Sequence, residues 1–128
     1  MVFAIAVLAG LAGWGAAWPQ GQITIQAGWV DPPLFQATVN ERITFINSSG
    51  RAAHVEFFGD SQRHHVTQVL TEIWVIFHTS GRHPYVVHFP ESGAADLRGE
   101  VEVIGDPRER PDGRACDGIT VMGACLER

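Results

Sequence analysis

The stretch of residues 42–58, RITFINSSGRAAHVEFF, constrains the fold most, because it reads as a strand, a turn and a second strand. Both halves alternate apolar and polar residues at the two-residue period of a half-buried strand. The segment between them contains Asn, Ser and Gly, the residues that favour turns. The alternating apolar positions are Ile43, Phe45, Val55 and Phe57. We therefore predict a β-hairpin within an all-β domain.

The strand pattern continues on both sides of this stretch. Residues 22–26 and 34–39 alternate upstream, and residues 74–79, 83–87 and 97–103 follow downstream, with Gly81 as a turn signal. The whole order, over residues 22–104, resembles the cupredoxins, which are small copper-binding β-sandwiches. In that family a strand ending in Asn leads through a Gly-containing loop to a first histidine ligand. The resemblance implies a cupredoxin-like Greek-key β-sandwich.

The ligand positions of that family are mostly altered here. His54 stands where the resemblance expects the first histidine, Val87 where it expects the copper-binding cysteine, and Leu97 where it expects the axial methionine. Pro90 falls near the expected second histidine. A blue-copper centre depends on a thiolate and two imidazoles, and valine has no lone pair. The resemblance therefore implies a cupredoxin-like fold without a blue-copper site, and we expect no cofactor.

The histidines leave open an alternative, a nitrogen-based copper or zinc site. The candidate ligands are His54, His88, His64, His65 and His83. Strand alternation directs His88 away from Val87, so it would reach a metal only from the opposite face. Adjacent His64 and His65 point in different directions from an extended chain, which favours a solvated loop. We expect His83 to be packed and His78 to lie at the surface or rim.

The first 18 residues contain no charged side chain. As a helix they span about 27 Å, close to the thickness of a bilayer hydrocarbon core. A secretory signal peptide is the alternative, but the basic segment with which such peptides open is missing. Trp14 and Trp18 suit a membrane interface, and Pro19 ends the helix. We predict a single transmembrane anchor over residues 1–19, with the domain on the periplasmic side of the cytoplasmic membrane.

Small residues recur along one face of this predicted helix and allow close packing against another membrane helix. They are Ala6, Gly10, Gly13 and Ala17. An ordinary anchor rich in alanine and glycine would show the same stripe.

The segment after the sandwich, residues 105–128, begins with a Pro-rich, charged linker and contains both cysteines of the chain. In an oxidising compartment Cys116 and Cys125 are expected to form a disulfide, which would contribute about 2–3 kcal/mol. Two free thiols that bind metal are the alternative. Ile119, Val121 and Met122 lie between the cysteines, and we predict that they form an exposed docking element outside the sandwich core.

The net charge is −5 and the nine basic residues, all arginine, are scattered, which argues against nucleic acid as a partner. No nucleophile and histidine set or Gly-rich phosphate loop indicates an enzyme. We predict three regions: an anchor (1–19), a cupredoxin-like sandwich (20–104) and a linker with a disulfide-clipped tail (105–128). The expected role is a non-catalytic accessory subunit of a membrane electron-transfer complex, such as a respiratory oxidase or photosynthetic reaction centre. The alternative role is a histidine-based copper or zinc carrier.

Overall fold

The structure, a computed structural model, describes residues 21–58, 64–105, 116 and 118–125, with only the backbone of residues 64 and 65. The predicted anchor, its small-residue stripe (Ala6, Gly10, Gly13 and Ala17) and most of the predicted linker lie outside the described residues. Among the residues that are described, no helix has the length and apolar character needed to cross a membrane.

The described residues form eleven β-strands. They are β1 (Gly21–Ile25), β2 (Val30–Asp31), β3 (Leu34–Thr38), β4 (Arg42–Asn47), β5 (Ala53–Phe58), β6 (His64–Val69), β7 (Glu72–Phe77), β8 (Gly81–Phe89), β9 (Ala94–Ile104), β10 (Ile119–Val121) and β11 (Ala124–Cys125). Their period-2 burial, with apolar side chains inward, follows the alternation in the sequence. The prediction of an all-β sandwich is confirmed.

The strands form two sheets. The six-stranded sheet has the order β11-β10-β7-β4-β1-β2, and the five-stranded sheet has the order β3-β9-β8-β5-β6. Two pairs, β1 with β4 and β3 with β9, are parallel, and the other pairs are antiparallel. Because consecutive strands repeatedly change sheets, parallel neighbours arise without helical crossovers.

The predicted hairpin over residues 42–58 is wrong in one respect. Its two strands, β4 and β5, form as expected but lie in opposite sheets, so the loop of residues 48–52 crosses the sandwich. The buried faces of the two strands meet across the interior, where the rings of Phe45 and Phe57 pack edge to face with centroids 5.7 Å apart. Alternation identifies which residues are buried. It does not distinguish a hairpin, whose two strands pair in one sheet, from an arch, whose two strands lie in facing sheets.

The tail prediction also needs correction. Ile119 and Val121 are buried core residues, because β10 pairs antiparallel with β7 and completes the six-stranded sheet. Only Met122 is exposed. Residues 119–121 therefore belong to the sandwich, and Ile119 and Val121 do not form an exposed docking element outside its core. The predicted disulfide between Cys116 and Cys125 is confirmed, with Sγ atoms 2.08 Å apart.

Candidate functional site

One end of the sandwich carries the positions that the resemblance assigns to copper. Several loops meet there, because Ser48 N–H donates to the carbonyl of Ile25 and Asn47 N–H donates to that of Thr71, each at 2.8 Å. The side-chain amide of Asn47 also donates to the carbonyl of Val69 at 2.9 Å, which joins the β4–β5 loop to the β6–β7 turn. We call this the loop end; it comprises residues 26–29, 48–52, 70–71 and 90–93.

The core face of the loop end contains no copper ligand at the family positions. Val87 is fully buried and lies opposite Val55 in β5 and Leu97 in β9. Leu97 packs against the core, and Pro90 is exposed in the turn that follows β8. These side chains offer no atom that coordinates copper. The residues present therefore do not fit a blue-copper centre.

His54 does not face the space beside Val87. The β5–β8 register pairs Val55 with Val87 on the core face and His54 with His88 on the outer face. His54 therefore lies on the outer face, away from the space beside Val87. The same alternation that places Val55 and Phe57 in the core places the neighbouring His54 on the outer face. The prediction that His88 points away from Val87 is confirmed.

His88 is the centre of a charged cluster on the outer face of the five-stranded sheet. Its Nε2–H donates to Glu56 Oε1 at 2.9 Å, and its Nδ1–H donates to Asp96 Oδ1 at 3.0 Å. Ionised carboxylates only accept, so this arrangement suits an imidazolium, in which both ring nitrogens donate. Glu56 and Asp96 were not predicted from the sequence. Only the strand register brings Glu56 and Asp96 to His88, and no local motif marks them.

The electrostatics of this cluster favour the charged ring. The hydrogen bond to Glu56 raises the pKa of His88, partial desolvation opposes that effect, and Asp96 raises the pKa further. The Glu56 side chain is mostly buried, whereas those of His88 and Asp96 remain partly exposed. The cluster is therefore a pH-responsive ion-pair network on the sheet surface.

The other histidines are dispersed. His78 is buried, not at the surface as predicted, and its ring nitrogens contact Asn40 Oδ1 and Thr120 Oγ1, each at 2.7 Å. It thereby joins the end of β7 to β10. His83 is packed as predicted: its Nε2–H donates to the carbonyl of Thr79 at 2.9 Å, and its ring lies 4.7 Å from that of Phe77.

The side chains of His64 and His65 lie outside the described residues, so their part in the alternative metal site stays a prediction. In the portion of the chain that the structure does describe, no group of three or more His, Cys, Asp and Glu side chains is arranged to hold a metal ion. His54 and His88 are nevertheless direct neighbours across β5 and β8.

The surface near the loop end carries exposed apolar side chains and an open cleft. Trp29 and Leu70 are large apolar side chains that are 58% and 68% exposed. An open cleft of about 450 Å³ lies beside Leu97. Its lining residues are Gly28, Trp29, Val30, Asp31, Pro33, Asp96, Leu97 and Arg98. Neither Trp29 nor Leu70 was predicted, although Trp29 directly follows Gly28, a turn signal in the sequence.

Comparison with known proteins supports the fold. No protein-family model matches the chain, and no curated protein matches it. Solved structures of amicyanin do match. The reduced Cu(I) form of an amicyanin mutant at pH 4 is 18% identical with a TM-score of 0.53, over 70% of this chain and 87% of that chain. The amicyanin from Paracoccus versutus is 14% identical with a TM-score of 0.54, over 70% of this chain and 86% of that chain.

These values establish the class to which the fold belongs. The described residues form a cupredoxin-like β-sandwich that resembles amicyanin. At this level of identity the likeness extends to the fold alone.

Proposed function

We propose that this chain is a non-catalytic accessory subunit of a membrane electron-transfer complex on the periplasmic side, of the respiratory oxidase or photosynthetic reaction centre kind. Its N-terminal residues 1–19 form a single-pass anchor in the cytoplasmic membrane, and its cupredoxin-like head binds to protein partners without carrying blue copper. Its partners are transmembrane helices and periplasmic surfaces of the complex.

The observation that carries this proposal is the closed core face at the loop end. Val87 is fully buried at the position where the resemblance expects a thiolate, and Leu97 packs where it expects a thioether. An apolar pair at these positions supports a structural use of the scaffold, since a redox copper needs soft donor atoms.

The exposed apolar residues add support. Trp29 and Leu70 are exposed at the loop end, and in this proposal they form part of the surface that contacts a protein partner. β1 begins at Gly21, next to the predicted anchor, and runs towards the loop end at Ile25. In this proposal the head sits on the membrane and the loop end points away from it.

Co-purification of the full-length protein in mild detergent tests this proposal. We expect tagged wild-type protein to bring down a haem- or chlorin-containing complex visible by its absorption spectrum. Trp29→Ser combined with Leu70→Ser should reduce recovery, whereas Ile104→Ser, an exposed apolar position at the other end, should not. Wild-type protein that runs alone as a monomer would refute the accessory role.

A second candidate function is histidine-based copper or zinc binding, and one observation favours it. His54 and His88 face each other on the outer face, with Glu56 in contact with His88. A metal ion would have to displace the proton of the His88 imidazolium, so its affinity should rise with pH.

Titration of the metal-free protein with Zn²⁺ and Cu²⁺ separates the two functions. The accessory role predicts no tight binding, and copper-loaded protein without an intense thiolate band at about 600 nm. The carrier role predicts binding of one ion that is lost in His54→Gln and His88→Gln variants but kept in His83→Gln.

A further inference from the structure

Among the described residues, four strands lie at sheet edges: β2 and β11 in the six-stranded sheet, β3 and β6 in the five-stranded sheet. An edge strand presents unpaired N–H and C=O groups that can pair with another chain, and proteins usually protect it. β2 and β11 are only two residues long. β3 is preceded directly by Pro32 and Pro33, which have no N–H group.

β6 is the longest of these edge strands, with six residues and the sequence HHVTQV. Proline and charged side chains usually protect an edge strand from pairing, and β6 contains no proline and no Asp, Glu, Lys or Arg. Its central Val66 is 56% exposed and pairs with Glu56, so it lies on the outer face. An apolar β-branched residue is therefore displayed in the middle of an edge that is free within the described part of the chain.

We propose that β6 pairs antiparallel with β6 of a second copy of this chain about a two-fold axis at Val66. An axis perpendicular to the sheet keeps both outer faces on the same side, so residues of the outer face pair only with one another. A register centred on Val66 places the two valines opposite each other and pairs residue 64 with Gln68. The exposed side chain of Val66 in one copy is then buried against Val66 of the other copy.

A second copy fits this edge, because β6 contains no Asp, Glu, Lys or Arg and two copies of it meet without repulsion between like charges. Pairing of β6 with itself uses the same edge in both copies, so the assembly closes at a dimer with a ten-stranded sheet. The edges left at both ends of that sheet are the two β3 strands, each flanked by prolines. This inference does not depend on the proposed function.

Cysteine crosslinking of the full-length protein tests both the contact and its register. The two natural cysteines are joined to each other, so an introduced cysteine is the one free thiol. We expect Val66→Cys to form a covalent dimer under mild oxidation, because opposed residues in an antiparallel pair have Cβ atoms about 5 Å apart. Leu34→Cys is the matched control: it is also 56% exposed, on the outer face of the other edge strand, β3.

The outcomes are distinct. Equal crosslinking by Val66→Cys and Leu34→Cys would show random collision and overturn the proposal. Crosslinking by Gln68→Cys in preference to Val66→Cys would overturn the register. In sedimentation measurements we expect Val66→Lys to weaken dimerisation at least about tenfold and Leu34→Lys to leave it unchanged. A wild-type protein that stays monomeric, or a dimer that Val66→Lys does not weaken, would refute the contact.

Discussion

Gly99 lies directly opposite Tyr85 in the β8–β9 ladder, and the phenol ring of Tyr85 occupies the space that a Cβ atom on Gly99 would need. The ring is buried and packs edge to face against Phe45, with centroids 5.1 Å apart. The absence of a side chain at Gly99 therefore makes room for one of the largest residues of the core.

Substitution of Gly99 by alanine should destabilise the fold by about 1–3 kcal/mol, because the added methyl group overlaps the Tyr85 ring and forces it to move. Chemical denaturation measures this change. Gly28→Ala is the control, since no atom lies within 4 Å of the added methyl group, and it should change stability by no more than about 0.5 kcal/mol. A similar loss in both variants would contradict the proposed overlap.

Tyr85→Phe should leave the protein as stable as the wild type or make it more stable. The buried Tyr85 hydroxyl finds no hydrogen-bond partner among the described residues, and burial raises the pKa of this phenol. An unpaired buried hydroxyl costs about 1–3 kcal/mol, which the phenylalanine variant avoids. Thermal and denaturant unfolding would show this. A clear loss of stability would mean that the hydroxyl has a partner, such as an ordered water.

The His88 network should make stability depend on pH. Since Glu56 raises the pKa of His88 in the folded state, the native protein holds the proton more tightly than the unfolded chain does. The stabilisation is complete below the ordinary histidine pKa of 6.5 and is lost as pH rises through the raised value. The stability difference between wild type and His88→Gln should therefore shrink as the pH rises above the ordinary histidine value of 6.5.

An NMR titration of His88 would check the cause. Glu56→Gln should lower the pKa of His88, whereas Glu102→Gln, a variant on the same outer face in β9, should not change it. A pKa that stays the same in Glu56→Gln would show that the ion pair does not form in solution.

Val121→Asp should destabilise the sandwich by about 3–5 kcal/mol, because it places an unpaired carboxylate in the core beside β7. The adjacent Met122→Asp is the control. Met122 is exposed, its φ of 51° is a left-handed conformation that Asp tolerates, and the change removes only the contact of its Sδ with the Trp74 N–H at 3.3 Å, so the loss of stability should be much smaller. Unfolding of both variants by urea would measure the difference. Equal stability would restore the prediction that the tail lies outside the core.

The sequence predicts which residues of the strands are buried, but not which strands are neighbours. Alternation correctly assigned Phe45 and Phe57 to the core, since a period of two is a local property. The partner sheet of each strand depends on contacts between distant residues, so the arch was predicted as a hairpin. β10 was missed for a similar reason: three residues are too few for a periodic signal, and their partner β7 lies far away in the sequence.

The candidate site was also predictable only where the signal is local in the sequence. The replacement of ligands at Val87 and Leu97 is visible in the sequence, whereas the pairing of His54 with His88 depends on the register of β5 against β8. The meeting of His88 with Glu56 and Asp96 requires three strands to be aligned, and no spacing within one strand reveals it.

The position of β10 beside β7 also affects how the protein is made. β7 is synthesised well before Ile119 and Val121, so the growing chain carries Val75 and Phe77 on an open strand edge until residues 119–121 have left the ribosome. Such an edge invites pairing with other nascent chains, and contacts distant in sequence form slowly. We therefore expect chains that end before residue 119 to aggregate rather than to form a folded head.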